Sequence, residues 1–174
     1  MVHEVCAACG FDGAQFTDDE LLHSLRSLGP QWQQSLRDAG DELRVRPAPA
    51  TWSAIEYAAH SRDVTALHVF GVEQALTFDE PSFPPIQGDE LIEAAATSYV
   101  DLDPQQVALE LATQATLLAD TATGGSAGSW QRGLTIGDSR QDIRFLLEHA
   151  LHDSRHHLLD VQRGLNLLRD TASS

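Results

Sequence analysis

Lysine is absent from this chain of 174 residues, so its 11 basic side chains are all arginines, set against 26 Asp and Glu residues. The formal net charge is −15. A surface this acidic repels nucleic-acid phosphates and anionic lipid head groups, and the arginines are scattered along the chain instead of clustered. We therefore expect neither a nucleic-acid partner nor a membrane partner.

Long hydrophobic runs are also missing. No stretch approaches the ~18 apolar residues that a membrane-spanning helix needs, and the first residues contain no basic segment followed by an apolar one. These absences predict a cytoplasmic protein. The length, with 42% hydrophobic residues, fits one globular domain at roughly 100–200 residues per domain.

Cysteine is scarce, and the two that occur, Cys6 and Cys9, are too few for the disulfide framework of a small secreted protein. Together with His3 they offer three candidate metal ligands at turn-like spacing. Three interpretations stay open: a structural zinc site with a fourth ligand from elsewhere or from a second subunit, a redox pair, and a thiol pair without a role. Residues 1–16 are accordingly treated as a separate cysteine-containing segment.

Helical patterns dominate the rest of the chain. A capping box at Thr17 and Glu20 begins a run of leucines at three- and four-residue steps, and an Asp-Pro pair begins a later helix. The predicted helices run from about 17 to 40, from 51 or 53 to the loop at 78–88, from 89 to 99, from 104 to 120, and from 139 or 142 to about 169. No strand-like alternation is present. The sequence predicts an all-α, antiparallel four-helix bundle over residues 17–170, with a tail at 171–174.

Residues 78–88 form a proline-rich segment, with Pro81, Pro84 and Pro85. Proline removes a backbone donor and disfavours helix in the residue before it. The segment is longer than a simple turn needs. We expect it to form one wall of a pocket.

Four of the eight histidines fall within nine residues of the last predicted helix: His149, His152, His156 and His157. His152 and His156 are four residues apart, so they lie on one side of the helix, about one turn apart, which suits two ligands of one metal ion. A solvated helix face is the competing interpretation, but such faces usually consist of Glu, Lys, Arg and Gln.

His60, at the edge of the apolar stripe of the second predicted helix, is the candidate third ligand. Three neutral imidazoles would hold a divalent ion and leave a coordination position open, which is typical of a catalytic site. Residues in register to orient these ligands are Glu56, Asp63, Asp153, Asp160 and His149.

Other histidines rank lower as ligands. The pair Asp153 and His157 is also one turn apart and could chelate, and it is the second choice because His157 points away from the sector of His152. His23 and His68 have no spaced partner, and we interpret them as structural.

Two segments carry a resemblance to a known family: the helix with Trp52, Ser53, Glu56, Tyr57 and His60, and the later segment 152–161. They resemble the DinB superfamily. Between them lie, in the expected order, a proline-rich loop and a Trp-x-Arg-Gly stretch, and an Arg-Pro connector precedes them. The resemblance covers most of the chain. It implies a four-helix bundle in which His60, His152 and His156 bind a divalent metal. Imidazole ligands suit zinc, nickel, copper and iron about equally, and we take zinc or nickel as the first candidates.

The resemblance also implies an activity. Similar members, including the metal-binding domain of mycothiol-dependent maleylpyruvate isomerase, are thiol-dependent transferases or isomerases. The expectation is a divalent-metal-dependent S-transferase or isomerase that uses a low-molecular-weight thiol of the mycothiol type against a small electrophile. A non-catalytic metal-binding stress-response protein and a metal-dependent hydrolase stay open as alternatives, because an open zinc position also activates water.

Arg132 and Arg155 are candidates for binding a substrate carboxylate, although arginines paired with surface acids are the commoner case. A homodimer is the candidate assembly, and a small molecule is the expected substrate.

Overall fold

The computed structural model describes residues 2–85, 96–125 and 128–172. Five helices of nine residues or more lie in these ranges. Their bounds are Asp18–Arg26 (α1), Leu28–Ala39 (α2), Ala54–Thr77 (α3), Pro104–Thr123 (α4) and Ile143–Ala172 (α5). Residues 96–99 are also helical, and the remainder of the helix expected at 89–99 lies outside the described residues.

The helices form the predicted antiparallel four-helix bundle, in which α1 and α2 together occupy one position. Both α2 and α3 pack against α4 and α5. The α1–α2 pair is one helix interrupted at Ser27, because Pro30 has no N–H to donate to the carbonyl of Arg26. Gly29 lets α2 approach α4 closely, since a Cβ at this position would lie 2.4 Å from the Cβ of Ala112.

Local capping signals begin the helices where the sequence predicts. Thr17 and Glu20 form a reciprocal capping box at α1, and Ser53 and Glu56 form another at α3. At α4 the side chain of Asp103 caps a helix whose first residue is proline. These caps satisfy backbone N–H groups that have no partner within the helix.

Two short sheets, which the sequence did not predict, accompany the bundle. Strands Val5–Cys6 (β1) and Phe11–Asp12 (β2) form an antiparallel hairpin, and Ser82–Phe83 (β3), Gly133–Ile136 (β4) and Ser139–Asp142 (β5) form a sheet of order β3-β4-β5. Strands of two to four residues are too short to show alternation. Of the two predicted starts of the last helix, position 139 lies in strand β5. Helix α5 begins after this strand, and Asp142, the other candidate, caps its first turn.

The core is built from the apolar stripes of all five helices. Trp32 of α2 is fully buried, and its indole N–H donates to Ser154 Oγ of α5 at 2.7 Å. This bond fixes the rotation of α5 relative to α2. In the described part of the chain, no helix has the length and apolar character needed to cross a membrane.

The amino-terminal hairpin lies on α5. The buried Arg144 donates to the carbonyls of Gly13 and Phe16 at 3.0 and 2.7 Å, and the buried carboxylate of Glu148 accepts from the backbone N–H of Glu4 at 2.9 Å. Since these groups belong to one helix face, they hold the hairpin beside the histidines that follow along α5.

Candidate metal centre

Helix α5 presents its histidines to two neighbours, α3 on one side and the amino-terminal hairpin on the other. Among the described residues, three groups place their ligand atoms within 4.8 Å of one another. They are His60 with Asp153 and His157, Cys6 and Cys9 with His152 and His156, and Glu4 with His149 and His152. The first is called the bundle cluster and the second the hairpin cluster.

The bundle cluster joins α3 to α5. Asp153 Oδ1 lies 3.3 Å from His157 Nε2 and 3.8 Å from His60 Nε2. The His60 and His157 rings meet edge to face, with centroids 5.1 Å apart. Trp52 and Tyr57 pack on these rings, with centroids 5.1 Å from His60 and 4.9 Å from His157, respectively.

Electrostatics favour a charged carboxylate in the bundle cluster. Burial raises the pKa of Asp153, but the adjoining His157 and His60 rings lower it more, and the net pKa lies far below its usual range. Burial lowers the pKa of His157, but the carboxylates of Asp153 and Asp160 raise it by more. The net pKa of His157 is therefore above the usual value. The two carboxylates therefore favour the protonated form of His157.

The bundle cluster also fits a divalent cation. Asp153 Oδ2 is buried and has no hydrogen-bond partner, which is unusual for a carboxylate oxygen. Two imidazoles and one carboxylate are a common ligand set for zinc and for other first-row divalent metals. His60, Asp153 and His157 would hold the ion, and three protein ligands leave a coordination position open.

The hairpin cluster has a different composition, with two sulfur and two nitrogen donors. Both cysteines are free thiols and half-buried. Cys6 Sγ lies 3.6 Å from His156 Nδ1, which brings the hairpin and α5 into direct contact.

A cavity of about 430 Å³ lies at the other end of the histidine row. His68 and His149 line it together with Phe83, Pro84 and Pro85. The proline-rich segment therefore does form a pocket wall, as predicted, and its residues 86–88 lie outside the described residues. Positions 149 and 157 are eight residues apart, which corresponds to about 12 Å along the helix, so the cavity is distinct from the bundle cluster.

Comparison with known proteins identifies the family of this chain. Residues 17–161 match the model of the DinB superfamily, and the match begins after the hairpin. The chain belongs to the DinB superfamily. No curated protein sequence matches the chain.

Two solved structures share the DinB fold seen here. YfiT from Bacillus subtilis, described as a probable metal-dependent hydrolase with an unusual four-helix bundle topology, superimposes with a TM-score of 0.75 at 16% identity, over 89% of this chain and 87% of that one. The mycothiol-dependent maleylpyruvate isomerase superimposes with a TM-score of 0.63 at 13% identity, over 86% of this chain. This chain spans 62% of the isomerase. At such identities the similarity concerns the fold.

The predicted DinB triad of His60, His152 and His156 is not brought together. His60 lies with Asp153 and His157, whereas His152 and His156 face the cysteines of the hairpin. Each residue step turns an α-helix by about 100°, so positions 153 and 157 reach α3 while 152 and 156 turn away from it. The pair that ranked second from the sequence is the one beside His60.

The residues predicted to orient the ligands divide in the same way. Asp160 Oδ2 lies 3.3 Å from His157 Nδ1 and 3.5 Å from His156 Nε2, so it contacts both clusters. His149 lies in the third group, 3.4 Å from the carboxylate of Glu4.

Two other predicted orienting residues serve the fold. Glu56 caps α3 and pairs with Arg46 instead of contacting a histidine. Asp63 accepts a hydrogen bond from Tyr99 and pairs with Arg62. Both lie on α3 in register with His60, but closer partners occupy them.

The remaining candidates also have structural partners. His3 pairs with Glu148 at 2.8 Å and is not part of the hairpin cluster. Arg132 donates to the carbonyls of Ala75 and Phe78 at 2.7 and 2.6 Å. Arg155 lies over the ring of Phe16. Neither arginine lines the 430 Å³ cavity.

Sequence reasoning missed Glu4 and interpreted His68 as structural. Glu4 reaches His152 only because the hairpin folds back onto α5. No local sequence pattern predicts this contact. His68 lies two turns after His60 on α3, a repetition along one helix that could have been noticed. It is buried in the cavity wall, and burial lowers its pKa to about 4.

Proposed function

We propose that this protein is a divalent-metal-dependent enzyme whose catalytic ion is held by His60, Asp153 and His157. The reaction is the transfer or isomerisation of a small electrophile, with a low-molecular-weight thiol as the attacking co-substrate. The supporting observation is the bundle cluster itself: three protein ligands from two helices and a buried carboxylate oxygen without a partner.

The ligand number distinguishes this cluster from a purely structural site. Structural zinc sites are closed by four protein ligands, whereas catalytic sites use three and keep a position for substrate or water. When bound, a divalent cation stabilises the deprotonated form of a thiol or water that occupies the open position, and so supplies a nucleophile at neutral pH.

The surrounding residues orient the ligands. Asp160 lies 3.3 Å from His157 Nδ1, and this carboxylate favours the tautomer with a proton on Nδ1. The lone pair of Nε2, which faces Asp153, is then free to bind the metal ion. The Trp52 and Tyr57 rings pack against one side of the cluster. Burial and the charge of Asp160 raise the pKa of Tyr57, so its phenol stays protonated and can donate to a substrate oxygen.

A hydrolase with water as the nucleophile is the second candidate, because the same open position accepts water. YfiT, which shares the fold, is described as a probable metal-dependent hydrolase. The isomerase that shares the fold is mycothiol-dependent, and this supports the thiol as the first candidate.

The test compares metal content and turnover in one set of proteins. Untagged wild type, a His60→Ala/His157→Ala variant and an exposed control, His23→Ala, are analysed by mass spectrometry for metal per chain. We expect the double variant alone to lose one equivalent. Each protein is then assayed with a panel of small electrophiles in the presence of a low-molecular-weight thiol, by following thiol consumption for transfer and substrate rearrangement for isomerisation, which returns the thiol. Hydrolysis of the same compounds is measured without thiol.

Full metal content in the double variant would refute the assignment of the ligands. Loss of metal from the double variant, with thiol-dependent transfer or isomerisation retained only by wild type and His23→Ala, supports the thiol-dependent enzyme. Turnover without thiol would instead select the hydrolase, and bound metal without either turnover would select the non-catalytic interpretation.

A further inference from the structure

The hairpin cluster lies outside the catalytic proposal and has its own chemistry. Its four donor atoms come from two separate elements: Cys6 and Cys9 from the hairpin, and His152 and His156 from α5. All lie within 4.8 Å of one another. Around zinc, sulfur at about 2.3 Å and nitrogen at about 2.0 Å place neighbouring donors roughly 3.5 Å apart. The separation of 3.6 Å between Cys6 Sγ and His156 Nδ1 already meets this spacing.

The turn between the two strands of the hairpin is shaped for sulfur ligands. The backbone N–H of Gly10 donates to the carbonyl of Cys6 at 2.8 Å, and Gly10 has a positive φ of 75°, which closes the turn after Cys9. Backbone N–H groups of Cys9 and Ala8 point at Cys6 Sγ, and despite burial the pKa of this thiol is lowered to about 7. Donors aimed at sulfur stabilise a thiolate, which is the form that binds metals.

A carboxylate lies beside one ring nitrogen of each histidine. Glu4 Oε1 lies 2.9 Å from His152 Nδ1, and Asp160 Oδ2 lies 3.5 Å from His156 Nε2. In metalloproteins a carboxylate commonly fixes one ring nitrogen while the other binds the ion. This arrangement leaves His152 Nε2 and His156 Nδ1 as the donors.

The second ring nitrogen of His152 provides an independent observation. His152 Nε2 is buried and has no hydrogen-bond partner, and even Nδ1, close to Glu4, lacks hydrogen-bond geometry. Buried polar atoms are nearly always paired, and an unpaired one calls for a missing ligand. In a cluster with two thiols and a second imidazole, that ligand is a cation.

We propose that Cys6, Cys9, His152 and His156 bind one zinc ion in a closed, four-ligand site that ties the amino-terminal hairpin to α5. Two thiols lose their protons on binding, and two neutral imidazoles complete the shell. With four protein ligands this ion has no open position and acts structurally. The proposal is independent of the catalytic one, since the two clusters share no ligand.

The decisive experiment uses cobalt as a spectroscopic substitute for zinc in the fully reduced protein. We expect a thiolate-to-cobalt charge-transfer band in wild type and in His60→Ala/His157→Ala. We expect no band in Cys6→Ser/Cys9→Ser, with one equivalent of zinc lost by mass spectrometry. The His23→Ala variant serves as the matched control and should behave as wild type.

A wild-type protein without the charge-transfer band, or a cysteine variant with undiminished zinc, would overturn the structural zinc site. Neither result touches the catalytic proposal, which is decided by the His60→Ala/His157→Ala variant.

A second measurement covers the case in which the cysteine variant folds poorly. Hydrogen exchange of wild type is compared with and without a zinc chelator. Amides of residues 5–13 should exchange faster after chelation, while those of α4, which contributes no ligand to either cluster, should be unchanged. Unchanged exchange of residues 5–13, despite measured loss of zinc, would show that the ion does not hold the hairpin on α5.

Discussion

Single residues determine how closely the hairpin can approach the bundle. Gly13 lies so near α5 that a Cβ on it would be 2.1 Å from Glu148 Oε2. The carboxylate of Glu148 is fully buried and held by Arg144 and His3, so it cannot move aside without losing these partners. The absence of a side chain at Gly13 is therefore needed for the hairpin to seat.

Gly13→Ala is expected to lower the free energy of unfolding by about 1–3 kcal/mol, because it forces overpacking against a buried, hydrogen-bonded carboxylate. Urea denaturation measures the change. The control is Gly124→Ala, where the nearest atom to a new Cβ is 3.4 Å away and φ is −69°. An equal effect at both positions would show that the contact with Glu148 is not the cause.

His68 predicts a pH dependence of stability. Its pKa is about 4 in the folded protein, lowered by burial, against about 6.5 when exposed. Between these values the unfolded chain binds a proton that the folded chain does not. The contribution of neutral His68 to the free energy of unfolding is therefore fully present above about pH 6.5. It is lost as the pH drops toward 4, by up to about 3 kcal/mol.

The His68→Leu variant should lose this part of the pH dependence, which urea denaturation between pH 4 and 7 would detect. His23→Ala, at an exposed position, is the matched control and should keep the wild-type slope. A His68→Leu slope identical to wild type would show that His68 does not remain neutral in the cavity wall.

At the scale of elements, the geometry of α5 separates two ligand sets on one helix. Asp153 and His157 face α3, and His152 and His156 face the hairpin. Asp160 lies between the sets because it is three residues after His157 and four after His156, both of which are helical neighbours. One carboxylate thus orients a ligand of each cluster.

Asp160→Asn should weaken metal binding at both clusters, by roughly 10–100-fold, because it removes the negative charge that orients the two rings. The zinc affinities are measured by competition with a chelator. Wild type, Asp160→Asn and the exposed control Asp41→Asn are compared. Weakening at one cluster alone would mean that Asp160 serves only that cluster.

The signals that begin the helices are local, and this is why they were predictable. A capping box needs only residues three apart, as at Thr17 and Glu20, and a proline at the first turn needs only its predecessor. The break between α1 and α2 follows from Pro30 in the same way. The strands were not predicted, because β3 pairs with β4 across about 50 residues and neither is long enough to alternate.

At the scale of the whole molecule, the bundle has an extensive apolar core. Among the described residues, its fully buried members include none of the proposed metal ligands, and Cys6 and Cys9 pack against its edge. The core includes Trp32, Ile55, Leu111, Leu118 and Leu147, all fully buried and drawn from α2, α3, α4 and α5. Burial of such side chains contributes about 1.5–3 kcal/mol each. The fold therefore does not depend on an ion in the way that a zinc finger does.

Metal-free protein should accordingly keep its helical circular dichroism and a cooperative thermal transition, with a lower Tm than the metal-bound form. Chelator treatment followed by far-ultraviolet spectra and a thermal scan measures both. Loss of the helical signal on chelation would mean that the ions, and not the apolar core, hold the bundle together.

The sequence by itself predicted the all-α class, the bundle and the DinB resemblance, and it named the ligands of both proposed sites as candidates, although it missed Glu4. These depend on composition, helical periodicity and short motifs, which are properties of neighbouring residues. It could not decide which residues share an ion.

Only the tertiary structure decided that partition. The rotation of α5, fixed by contacts such as Trp32 with Ser154, directs positions 153 and 157 to α3. The folding back of the hairpin brings Cys6 to His156, 150 residues away in sequence. A cluster built from distant segments depends on how the elements pack, and a rotation of one residue step along a helix changes which partner a side chain meets.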